Sequence, residues 1–337
     1  MHNRSVRRSI AFGLLGLLYA SNAGTAMPSE LADAAQNLGF SSDEIAEVEQ
    51  EPAVWVVEQE SGARRLTVAG LAKLSAPPGA ILNDLRSRDG LLQSEAIRQA
   101  GRFSAPPLPA DVAAYRLPEG DLEALSECEV GDCKFRLRAL GVETFSKIDW
   151  SAPDARERAD ALARERLLDF VRGYQESGRD ALKAPFVDKQ EPLSPGKGFD
   201  ALLGHMQGAT EASKALRAHL RDYPRSAADG MEDLIIWNIR DYGYPPVTGV
   251  VHAVIYEPSG SVPMVALKNL YSSHYFHARL QLIVLLADPE DPEQTYLGYT
   301  DRLLFEDDVG SLKRRILEAG VLKDVSRRLE LLRKAVE

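Results

Sequence analysis

The run His274-Tyr275-Phe276-His277-Ala278-Arg279-Leu280-Gln281-Leu282-Ile283-Val284-Leu285-Leu286 alternates. Its even positions, from His274 through Phe276, Ala278 and Leu280 to Leu286, are almost wholly apolar, and its odd positions begin polar with Tyr275, His277, Arg279 and Gln281. Period-two alternation marks a strand with one face in a core and the other nearer water. The pattern therefore puts His274 on the inner face. The neighbouring stretches also read as strands. Ile235, Trp237 and Ile239 alternate after Glu232, Val250 to Tyr256 is apolar on both faces, and Pro263 to Leu270 follows a Pro258-Ser259-Gly260 turn. Thr295 to Phe305 carries Leu297, Tyr299, Leu303 and Phe305 on one face, which also places Asp301 inside. A helix capped by Asp307 or Asp308 closes the chain. Its apolar stripe is Val309, Leu312, Ile316, Ala319, Leu322, Val325, Leu329, Leu332 and Val336, with a kink expected at Gly320. So regular a stripe needs a partner, and the inner face of the preceding sheet is nearest.

Working back toward the N-terminus, Val54 to Val57 and Arg65 to Leu74 read as a hairpin around Ser61-Gly62. Ser75-Ala76-Pro77-Pro78 then opens a short helix with Ile81, Leu82 and Leu85 on one side, since proline suits a first helical turn. Glu95 to Phe103 and Lys134 to Arg138 read as strands. Asp154 to Ser177 is a helix with the stripe Ala159, Ala163, Leu167, Phe170 and Tyr174, capped by Ser151 and ended by Gly178. Phe199 to Met206 and Glu211 to Arg221 form a helical pair stopped by Pro224. The expected organisation is a helical segment over 27–50 and one α+β domain over 51–337: a curved antiparallel sheet packed around a long C-terminal helix, with a helical insertion at 150–224.

Arg4, Arg7 and Arg8, the apolar run Ile10 to Ala20, and Gly24-Thr25-Ala26 have the build of a signal peptide over 1–26. The expectation is a periplasmic or secreted protein with no integral membrane span after cleavage. The formal charge is −10. An acidic exported chain does not suit nucleic acid, whose phosphates need a basic face. Cys128 and Cys133 are the only cysteines, and in an oxidising compartment they read as one local disulfide across a turn at Gly131. A redox pair or half a zinc site fits the spacing less well.

The strand and Ala-Pro-Pro helix of Leu66–Arg86, together with the strands and closing helix of Glu232–Glu337, resemble the START/SRPBCC helix-grip superfamily. The insertion at 150–224 and the Cys128–Cys133 region depart from its compact form. The resemblance implies an apolar cavity between the sheet and the C-terminal helix, holding a lipid or other hydrophobic small molecule, and no cofactor.

Within such a cavity the inner-face polar groups carry any chemistry. His274 and Asp301, placed on neighbouring strands, suit either a general base with its orienting carboxylate or a core hydrogen-bond pair. His252, Tyr256 and Tyr271 are candidate ligand contacts. His274 and His277 point to opposite faces of a regular strand and cannot chelate one ion, so no metal is expected. Three readings follow: a hydrophobic-ligand binding protein, a hydrolase or lyase using His274 and Asp301, and a cell-envelope interaction module with a solid core that docks a protein partner through 150–224.

Overall fold

The computed structural model describes residues 40–337 except 52, 60–63, 88–90, 92–93, 191–193, 205, 207–209 and 307–309, and before residue 40 only 6–7, 32 and 35–36. The signal-peptide reading of 1–26, the Ser61-Gly62 turn and the Asp307 or Asp308 cap therefore fall outside the described residues, save Val6–Arg7. The strands are β1 (Val54–Gln59), β2 (Arg65–Leu74), β3 (Ile97–Phe103), β4 (Met231–Arg240), β5 (Val247–Tyr256), β6 (Met264–Ser272), β7 (Phe276–Ala287) and β8 (Thr295–Phe305). They form one antiparallel curved sheet in the order β1-β2-β8-β7-β6-β5-β4-β3, and Val6–Arg7 adds two pairs at the β1 edge. The helices are α1 (Ser42–Glu47), α2 (Pro78–Arg86), α3 (Glu119–Ser126), α4 (Ala139–Phe145), α5 (Ala155–Ser177), α6 (Pro195–Leu203), α7 (Glu211–Asp222) and α8 (Ser311–Val336).

Both faces of the sheet are covered. Helices α2 and α8 bury one face against Leu66, Val68, Ile255, Val265, Leu267, Ile283 and Leu303. On the other face α5 packs on Ile235, Trp237 and Ile239, while α6 and α7 pack on Val254, Tyr256, Ala266 and Leu280. Each such fully buried aliphatic side chain contributes about 1.5–3 kcal/mol. The insertion thus removes from water the face that alternation alone assigns toward solvent. Helices appear between β3 and β4 well before residue 150, beginning with α3.

A bulge changes the reading of β7. The β7–β8 register shifts between Phe276 and Ala278, and Tyr275 has φ of 60°. An extra residue moves every later side chain to the opposite face. Phe276 therefore packs with α8, whereas Ala278 and Leu280 face α6 and α7. The expected single apolar face of even positions is divided, and the polar odd positions Arg279 and Gln281 point toward α8. His274 and Tyr275 precede the strand.

Other expectations need correction. Lys134–Arg138 is not a strand; its Arg136 N–H donates to the Ser273 carbonyl at 2.9 Å, and α4 follows at once. Asp154, not Ser151, is the N-cap residue of α5. In α8 the buried residues include Leu317, Val321, Leu322, Val325 and Leu332, while Leu312 is 70% exposed. Gly320 is explained by close approach, because a Cβ there would lie 2.5 Å from the Tyr242 carbonyl oxygen.

Candidate functional site

Three polar or hollow regions emerge, and the sequence-selected residues are divided among them. The first lies between the sheet and α8. Asp301 is fully buried and accepts from Arg279 Nε at 3.0 Å, from Gln281 Nε2 at 2.9 Å and from Tyr299 OH at 3.1 Å. Arg279 also donates to Tyr242 OH at 2.5 Å. Burial opposes the Arg279 charge, but the Asp301 carboxylate outweighs it and holds the guanidinium pKa well above its ordinary value. Beside this pair, Arg240 Nη1 donates to Asp324 of α8 at 2.6 Å. Burial raises the Asp324 pKa, yet the Arg240 charge more than offsets that and lowers it. Every oxygen of Asp301 is engaged, so it acts as a clamp between β7 and β8. Among the described residues two small clefts, of about 50 Å³ and about 30 Å³, lie here.

His274 is elsewhere. Its Nε2 lies 2.7 Å from Asp121 Oδ1 of α3, and its ring meets Phe135 edge-on. His274 and Asp301 therefore belong to separate networks and do not form an acid–base pair. Tyr271 is near His274, at the end of β6. Its OH donates to the Arg136 carbonyl at 2.8 Å, and its ring packs against Phe170 and Phe186.

Tyr271 opens onto the second region, a cavity of about 200 Å³ between the sheet and α4–α5. Its walls include Phe135, Phe145, Leu167 and Phe170, with Arg136, Arg138 and Arg166 among them. Two of the arginines are compensated: Arg136 pairs with Glu306, and Arg166 with Glu165 and Asp169. Arg138 is different. Its Nη2 donates to the Ala181 carbonyl at 2.5 Å and its guanidinium lies over the Phe170 ring at 5.1 Å. Its Nε is buried without a partner, and among the described residues it has no carboxylate partner. Burial alone pushes its pKa down. An uncompensated guanidinium in an apolar wall is costly unless an anion joins it.

The third region is a relay on the same face, under α6 and α7. His252 Nδ1 is 2.9 Å from Tyr174 OH, and His252 Nε2 is 2.7 Å from Asp233 Oδ1. His219 Nε2 reaches the same Asp233 oxygen at 2.8 Å. Lys268 donates to the Leu220 carbonyl at 2.8 Å and lies 4.1 Å from the Phe199 ring centroid. Desolvation pushes the Lys268 pKa down to about 7, and Arg179 adds to the effect. Burial raises the Asp233 pKa, but its hydrogen bonds to His219 and His252 dominate and hold it far below the usual carboxylate range. Tyr256 is buried in the apolar cluster beside this relay.

Sequence reasoning selected His252 and Tyr271 but missed Arg138, Tyr174, His219, Asp233 and Lys268. Two signals were present. His219 continues the Ala212, Leu216 face of α7, and Lys268 interrupts a strand whose flanking residues, Val265 to Leu267 and Leu270, are apolar. Cys128 and Cys133 are bonded as a disulfide. No helix among the described residues is long and apolar enough to cross a membrane. We found no protein-family model and no curated protein that matches the chain.

Proposed function

We propose that the chain is an exported binding protein for a small amphipathic anion, whose apolar body fills the cavity beneath α4 and α5 and whose charged head meets Arg138. The observation that carries this reading is the half-buried Arg138 guanidinium, without a carboxylate partner among the described residues, in a cavity of about 200 Å³ whose walls are mostly apolar and whose other charged groups, Arg136, Arg166 and Asp169, are paired. Ligand sites have this composition, apolar walls with a few placed polar groups. A cavity of about 150 Å³ accepts benzene. The ligand is therefore a ring with a short acidic substituent, or a short-chain acid, rather than a whole sterol or phospholipid.

A helix-grip fold with an enlarged insertion suits the chain order: strand, Ala76-Pro77-Pro78 helix, successive strands, and a closing helix along one sheet face. The resemblance implies a ligand between the sheet and α8, but the larger volume lies across the sheet, because Arg279, Asp301, Arg240 and Asp324 fill the α8 side. The disulfide and the basic-then-apolar start of the chain support export. The docking-module reading gains less support. The large exposed apolar residues are Leu108, Val130, Leu140 and Leu312, and none lies in 150–224 among the described residues.

Native mass spectrometry of the purified protein, with solvent extraction, tests the reading. A co-purifying organic acid that is lost in Ala163→Phe, which fills the cavity, is the expected result. Equal retention in wild type and Ala163→Phe would place the ligand elsewhere and overturn the assignment.

A further inference from the structure

We propose that His219, Asp233 and His252 form a binding site for one divalent transition-metal ion of the zinc type. The three residues come from three elements, the last turn of α7, β4 and β5. Asp233 and His252 share the insertion-side face because Ile235 pairs with His252 and Asp233 with Val254, which makes them diagonal neighbours. Helix α7 then lowers His219 onto that pair. Both Nε2 atoms converge on Asp233 Oδ1, at 2.8 and 2.7 Å, and the ligand atoms all lie within 4.8 Å of one another.

The chemistry of the donors selects the ion. Two imidazoles and one carboxylate suit zinc and its neighbours, whereas calcium and magnesium take oxygen donors. Both histidines are fully buried, while the Asp233 side chain is 27% exposed. The site is thus closed on the protein side and open at the carboxylate. Three protein ligands with one open position is the arrangement of a zinc ion that keeps a water or exchangeable ligand. Tetrahedral bonds of about 2.0–2.1 Å separate ligand atoms by roughly 3.3 Å. Each nitrogen must therefore retreat from Oδ1 by about half an ångström, a small movement that rotation of the half-open Asp233 side chain supplies.

The surroundings supply a second coordination layer at His252. A metal-bound histidine normally has its other nitrogen held by a hydrogen bond that fixes the ring. His252 Nδ1 has that bond, to Tyr174 OH at 2.9 Å. Among the described residues His219 Nδ1 is buried without a hydrogen-bond partner, and the ring's polar contact there is the one to Asp233. A hydrogen-bonded His–Asp–His clamp explains the ring orientations as well, and the experiment separates the two.

The full chain, stripped with chelator and dialysed against zinc at micromolar concentration, is analysed for bound metal. Cobalt is then substituted and its visible spectrum recorded. The expected result is one equivalent of zinc per chain and the intense visible bands of four-coordinate cobalt with nitrogen ligands. His219→Gln and Asp233→Asn, which keep hydrogen-bonding groups in place, are expected to weaken binding at least tenfold. Tyr174→Phe is expected to weaken it by about 10–100-fold while retaining stoichiometry at high zinc. No stoichiometric zinc in folded wild type would overturn the proposal, as would undiminished binding in His219→Gln and Asp233→Asn. The cobalt spectrum of wild type stands even if a variant fails to fold, and a six-coordinate, weak spectrum would also overturn it.

Discussion

Lys268 predicts a pH dependence of stability that a single substitution removes. The residue is 1% exposed, and its amine pKa falls from 10.5 to about 7 chiefly through desolvation. Between those values the folded chain holds the amine neutral while the unfolded chain holds it charged. The unfolded state then binds more protons, so stability rises with pH across this window and is lost as pH falls through it. The full shift is worth about 5 kcal/mol at about 1.4 kcal/mol per unit, of which roughly 2–3 kcal/mol develops between pH 8 and pH 10. Methionine approximates the lysine stem and cannot titrate. Urea unfolding of wild type and Lys268→Met at pH 8, 9 and 10, at fixed ionic strength, measures the effect. The stability of Lys268→Met minus that of wild type should fall by roughly 2–3 kcal/mol over this range. A changed bond to Tyr174 or Leu220 shifts all pH values alike and cancels. A difference that stays constant within about 0.5 kcal/mol would show that Lys268 keeps an ordinary pKa, and would refute the reasoning.

Three further outcomes follow from the packing. Asp301→Ala leaves Arg279 buried without its counter-charge and should cost about 3–5 kcal/mol, read from the urea midpoint and slope. Gly320→Ala drives a methyl into the Tyr242 carbonyl and should cost roughly 1–3 kcal/mol in the same assay, whereas a merely flexible Gly320 would tolerate or prefer alanine. Replacing Cys128 and Cys133 together by serine opens a loop with a sequence separation of only 5. The loss should be about 2 kcal/mol, because a short loop constrains the unfolded chain little.

The β2, α2 and β8 segments were legible because each carries a local signal. Arg65–Leu74 and Thr295–Phe305 matched to the residue, and proline marks the start of α2. The run 250–256 was legible as a strand apolar on both faces, and the structure gives the reason, since Ala253 and Ile255 pack on one side and Val254 and Tyr256 on the other. What was not legible depends on one inserted residue and on distant pairing. The bulge between Phe276 and Ala278 has no signature in the alternation, so His274 was assigned a face it does not share with Asp301. The partners of His274 and His252, Asp121 and Asp233, lie far off in sequence, and only the folded chain brings them close. Arg138 was read as part of a short strand, whereas the chain there is irregular and turns directly into α4.

The claim of an anion-headed ligand at Arg138 is tested most directly by calorimetric titration of phenylbutyrate and of phenylbutanol into wild type and Arg138→Met. The account predicts that wild type prefers the carboxylate and that Arg138→Met loses roughly tenfold or more in carboxylate affinity, in line with about 1.5–3 kcal/mol for a charged hydrogen bond. Alcohol affinity should be unchanged by the substitution. Equal affinities of wild type for the two compounds, or a carboxylate affinity that survives Arg138→Met, would contradict it.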